Sequence, residues 1–220
     1  MLDSPWFTIW THPRYTIRRV MLSSGNRQVS LLAMSLGTLF YLLHAMQNYL
    51  GDYISLSIIL VLAVSIGAVL GLILVHISAF ILGWFGRLLG GIAENDDIRL
   101  GITYASIPVI LILGSIFLVT IPYIGIDLFQ DFGMSTWRNV PKLGLLILTI
   151  LPIWLITSIW IIIIQLKVLS EVHQFSTLKA LISALVTIII LLLLRFSIST
   201  TITFFGGFSD FEKVMHLFGL

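Results

Sequence analysis

The sequence predicts an all-α protein: a polytopic membrane bundle of about five transmembrane helices, with an amphipathic interfacial segment at its N-terminus. Three observations carry this expectation. The 220 residues are 58% hydrophobic and only 10% charged, whereas soluble domains carry about 25% charged residues. The charges cluster between apolar runs, and several runs reach the roughly 20 residues needed to cross a hydrocarbon core of about 30 Å. Runs such as 145–148 and 161–164 do not alternate apolar with polar residues. They therefore do not suit the strands of a membrane β-barrel.

The chain divides into a cytoplasmic or interfacial segment (1–28), a five-helix transmembrane domain (29–205) and a short tail (206–220). In the first segment, Ser4-Pro5 reads as a helix start and Pro13 as the start of a second helical piece. Ile17, Val20 and Met21 then fall at helical spacing, with Arg14 and Arg18 toward another side. Trp6, Phe7 and Trp10 suit a headgroup layer. The expectation is an amphipathic element lying on the membrane, with Trp6, Trp10, Arg14, Arg18 and Arg19 as candidate lipid and interface contacts.

Span 1 is expected over 29–46. The uncharged stretch between Asp52 and Arg87 is too long for one untilted helix and too short for two with a turn. One long tilted helix is favoured. Ala63, Gly67 and Gly71 recur at every fourth position and mark a helix-packing stripe, for which packing within the monomer is favoured over a dimer seam. A glycine-rich and then acidic loop follows, ending in Glu94-Asn95-Asp96-Asp97. Capping of the next helix by Asn95 or Asp96 explains it more simply than a cation site. Span 3 is expected over 102–124, kinked by Pro108 and Pro122, span 4 over 143–166, and span 5 from about Ala180, after a short charged loop over 167–179.

Two residues within the apolar stretches are candidate intramembrane polar sites. His76 lies inside span 2; a neutral histidine hydrogen-bonded between helices is the simpler expectation, and a pathway residue the sharper one. A helix starting at Lys179 carries Arg195 about 24 Å along its axis, near the far interface, where it can snorkel; a helix continuing to Phe205 would place it deeper, in need of an acidic or carbonyl partner.

Composition also excludes. Without cysteine there is no disulfide, thiol catalysis or Cys-ligated metal. A net charge of +2 makes no case for nucleic acid. The histidines lack metalloprotease spacing, so no catalytic, cofactor or metal residue is assigned and no cofactor is expected. With the N-terminus inside, eight of the twelve Lys and Arg residues fall on the cytoplasmic side and four on the other, which favours that orientation. The first 28 residues lack the continuous apolar core of a signal peptide, so span 1 is expected to direct insertion.

Three short stretches, each weak alone, carry a resemblance together. They are 6–18 (WFTIWTHPRYTIR), 105–108 (ASIP) and 171–176 (EVHQFS) followed by Lys179-Ala180. In this order, among five spans, they resemble bacterial Yip1-domain proteins over nearly the whole chain. The resemblance implies a compact five-helix membrane domain with a cytoplasmic N-terminus, and it supplies no catalytic motif. Eukaryotic members interact with Rab GTPases and act in vesicle traffic; they carry a long hydrophilic N-terminal region that is absent here, so a Rab-type role is not expected. The resulting expectation is a non-enzymatic scaffold or adaptor of a bacterial inner membrane. It would meet lipids, anionic headgroups above all, and a membrane-protein partner or a second copy. The alternative is a small-solute or ion transporter using kinked spans 3 and 4.

Overall fold

The computed structural model describes residues 4–23, 26–131 and 141–205, the side chains of 26–27, 141–154 and 198–205 excepted. The loop around Trp137 and Arg138 and the tail over 206–220 lie outside the described residues.

Helix α1 (Pro5–Thr11) begins with proline in its first turn, where the missing N–H has no intrahelical partner to lose. Pro13 stops it by the same property, because a proline inside the helix would forfeit a ladder bond. It then opens α2 (Pro13–Met21). The buried positions of α2 are Pro13, Thr16, Ile17 and Val20, a stripe at helical period. That stripe does not face lipid. Ile9, Ile17 and Val20 belong to one core cluster with Ile98, Ile107, Ile164, Val168 and Val172. The segment set apart as 1–28 at the sequence level thus shares the core of the bundle.

Helix α3 (Asn26–Gln47) provides the first candidate span. The overlong stretch is one continuous helix, α4 (Leu56–Leu88), with a single π turn at Ala63–Gly67. Its 33 residues rise about 50 Å, well beyond a hydrocarbon core of about 30 Å. Gly90, at φ 86°, ends it, and Gly91 N–H donates to the Gly86 carbonyl at 2.8 Å in a Schellman-type close.

The expected third span is two helices. Helix α5 (Asn95–Ala105) and α6 (Ile107–Ile124) meet at Ser106, with Pro108 in the first turn of α6. Pro108 therefore opens a helix instead of kinking one: it can neither donate to the Tyr104 carbonyl nor clear it sterically. The start of α5 also departs from expectation. Glu94 holds the N-cap position and makes no side-chain cap bond, while Asp96 and Asp97 sit in the first turn, where negative charge complements the helix dipole.

Helix α7 (Pro141–Val172) runs six residues past its expected end because Ile164, Val168 and Val172 keep a buried period of four. Helix α8 (Thr177–Phe205) follows after only four residues. No strand occurs among the described residues. Among the described residues, five helices are long and apolar enough to cross a membrane: Gln28–Gln47, Leu56–Leu88, Ile107–Phe129, Leu155–Val172 and Thr177–Ser197. Their outer faces expose Val64, Phe80, Leu118, Ile156 and Leu192, a surface that hydrocarbon wets and water does not.

Two cores stack along the bundle. The proximal one lies under α1 and α2. The distal one gathers Leu42, Leu50, Ile59, Phe117 and Phe129, where two short 3₁₀ turns, Leu50–Asp52 and Gly125–Phe129, close the far end. Gln130 donates to the Gly51 carbonyl there at 3.2 Å.

Candidate interaction face at the proximal end

Helices α1 and α2 lie across the ends of α5 and α7 and are fastened there by side chains from the α7–α8 turn. Arg14 donates to Ser170 Oγ at 3.3 Å and to Thr177 Oγ1 at 3.0 Å. Arg18 Nε and Nη2 both donate to Glu171 Oε1, at 2.9 and 2.5 Å. Trp160 on α7 donates its indole N–H to the Trp10 carbonyl at 3.1 Å. Beside this clasp opens a cleft of about 660 Å³ whose lining includes Arg14, Arg18, Asp97, Ser170, Glu171 and Phe175.

The turn itself is held by His173. Glu171 and His173, two apart, point opposite ways: Glu171 outward to Arg18, His173 inward. Its ring is fully buried and occupies the space that side chains at Gly86 and Gly91 would fill. It stacks on Phe175 at 4.8 Å between centroids. The His173 carbonyl accepts from Ile92 N–H at 3.3 Å, tying the turn to the glycine-rich loop. Both ring nitrogens are buried without a hydrogen-bond partner among the described residues. Burial first, and then the nearby Arg87 guanidinium, lower the His173 pKa from 6.5 to about 4. The ring is therefore neutral at pH 7. Gln174 supplies the left-handed residue (φ 54°) that ends α7, with Phe175 N–H donating to the Ser170 carbonyl at 3.1 Å. Lys179 donates to the Leu89 carbonyl at 2.7 Å, placing a cation at the C-terminus of α4.

The face combines a guanidinium that donates to two hydroxyls, an ion pair and an exposed aromatic surface. Trp6, Phe7 and Tyr15 are exposed, as are Arg14, Arg18 and Arg19, while Trp10 is half-buried.

The other sequence candidates lie elsewhere. His76, on α4, bonds the Leu72 carbonyl through Nδ1 at 2.7 Å and meets Arg99 Nη1 through Nε2 at 2.5 Å. Arg99 can only donate, so Nε2 accepts from it, while Nδ1 donates to the carbonyl. Arg99 also pairs with Asp96. His76 is thus hydrogen-bonded between two helices. Arg195 is exposed on α8, which continues to Phe205. Ala63, Gly67 and Gly71 pack inside the chain against α3: a methyl at Gly71 would strike Ala33 and Gly37 backbone, and one at Gly67 would meet Tyr41 Cβ. Gly37 is the partner in this seam that sequence reasoning missed. Gly86, Gly91 and the inward role of His173 were missed too, although the glycine-rich loop and the 171–176 stretch each stood out. Among the described residues, no group of three His, Asp or Glu could hold a metal ion.

No curated protein and no solved structure matches the chain. The model of the Yip1 domain matches residues 7–198. The match begins within α1 and includes the α7–α8 turn, so both halves of the proximal clasp fall inside it. This integral membrane protein belongs to the Yip1 domain family.

Proposed function

We propose that the protein is a non-enzymatic scaffold or adaptor of a bacterial cytoplasmic membrane, with its proximal face in the cytoplasm, where it engages anionic lipid headgroups and other membrane proteins. The observation that carries this reading is the outer surface of α1 and α2. Their apolar stripe is spent on the bundle, so Phe7, Tyr15, Arg14, Arg18 and Arg19 are presented together on a fixed support. Aromatic rings and cations of this kind suit a headgroup layer. Each Lys or Arg near an anionic surface is worth about 1 kcal/mol. The excess of Lys and Arg on the proximal side supports the orientation.

The test is lipid selection by the full-length protein. In mixed micelles of phosphatidylglycerol and phosphatidylethanolamine, the protein is expected to enrich the anionic lipid at low salt and to lose that enrichment as salt rises. The triple variant Arg14→Gln, Arg18→Gln, Arg19→Gln should retain the two lipids in the ratio supplied. The same anionic enrichment in wild type and variant would overturn the reading.

A further inference from the structure

A second cavity, of about 510 Å³, lies among α4, α5, α7 and α8, on the side of α7 away from the clasp. We propose that it holds one hydrocarbon chain of a membrane lipid.

Its dimensions decide between occupants. The lining runs along α7 from Ile162 to Val172 and along α8 from Leu181 to Leu191. Ten residue steps on either helix span about 15 Å. That is half of a core of about 30 Å, the depth of one leaflet. A single extended hydrocarbon chain matches that length, and a further helix, at about 10 Å diameter, is the bulkier occupant.

The chemistry of the walls agrees. Among the described residues, no charged side chain lines the cavity. Two of its hydroxyls are turned back on their own helices: Ser106 Oγ donates to the Ile102 carbonyl and Thr187 Oγ1 to the Ser183 carbonyl, each at 2.8 Å. Ser78 and Gln165 are the other polar side chains on the lining, and the remaining side chains are hydrocarbon. Water would find few partners there, and an empty space would deprive every wall of dispersion contacts. Ala105 on α5 and Ala184 on α8 keep the lining side chains short, while Gly101 lets Val168 and Val172 of α7 approach α5. The location supplies the occupant, because α4, α7 and α8 are all candidate spans and lipid is their solvent.

Recognition here is of a chain and not of a headgroup, so it stands apart from the lipid preference of the proximal face. Native mass spectrometry of the full-length protein with phosphatidylethanolamine or phosphatidylglycerol tests it. One diacyl lipid should survive activation that strips the rest, equally for both headgroups. Ala184→Phe should lower that retained species roughly tenfold, while Leu193→Phe, on an exposed face of α8, should leave it unchanged. A photoreactive group at the chain end of a phospholipid gives a second readout on the unaltered protein. Its adducts should concentrate in 162–172 and 181–191. Labelling spread evenly over the outer faces of the helices, or a retained lipid unaffected by Ala184→Phe, would overturn the proposal. Loss of retention in the Gln variants of the proximal arginines with headgroup-blind retention intact in Ala184→Phe would do the same.

Discussion

The α3–α4 seam and the proximal end both depend on glycine, and they use it for different contacts. In the seam, Gly37, Gly67 and Gly71 let two helix backbones touch. At the proximal end, Gly86 and Gly91 leave a socket for an imidazole, and arginines fasten one element to another. The solvent explains the contrast. Between helices in lipid there is no hydrophobic gain to collect, so close backbone packing holds the pair. At the water-facing end, burial of Ile9, Ile17 and Val20 is itself a driving force, and polar links then set the register of what has been buried.

The largest effect should come from breaking the seam. Gly37→Leu puts a side chain where the backbones of Gly67 and Gly71 stand, and neither can retreat. A loss of more than about 4 kcal/mol is expected, seen as failure to elute as a single species on size exclusion in mild detergent. The socket should be more forgiving, because a ring can leave where a backbone cannot. Gly86→Ala forces His173 out at about 2 kcal/mol. In the double variant with His173→Ala the effects should be clearly non-additive in thermal unfolding.

Acid probes the same socket without mutation. The folded pKa of His173 is lowered to about 4, so the unfolded chain binds the proton more readily. Stability from the docked neutral ring is then complete above pH 6.5 and lost as pH falls toward 4. The loss is up to about 1.4 kcal/mol per unit. His173→Leu should flatten that limb of the unfolding profile. The clasp should matter least. Arg18 is largely exposed, and a double-mutant cycle of Arg18→Gln with Glu171→Gln should give about 0.5–1 kcal/mol, falling with salt. Gln174→Gly should change stability by a similar amount in the other direction, relieving a left-handed residue at the end of α7.

The same contrast decides what was legible in the sequence. Spans are properties of one segment and its solvent, so hydropathy and length revealed five of them, including the single long helix over 56–88. The small-residue stripe was legible because every fourth position of α4 falls on one face. Pairwise facts were not. The period of Ile17 and Val20 announced an apolar stripe, but a membrane surface and the end of a bundle reward that stripe equally. The division of the third span at Ser106 was obscured because apolar residues continue on both sides of it. His173 was hidden for a similar reason: its socket is made by glycines eighty residues away, and a charged turn on the sequence looks solvated until its partners are known.

The central claim is that α1 and α2 are part of the folded domain and not a segment resting on lipid. The chain has no cysteine, so spin labels can be placed cleanly at Tyr15→Cys and Leu178→Cys, both exposed positions on either side of the clasp. Double electron–electron resonance should give one narrow distance distribution, the same in micelles and in bilayers with or without anionic lipid. A broad distribution, or one that moves when anionic lipid is added, would show the segment lying on the membrane and contradict the account.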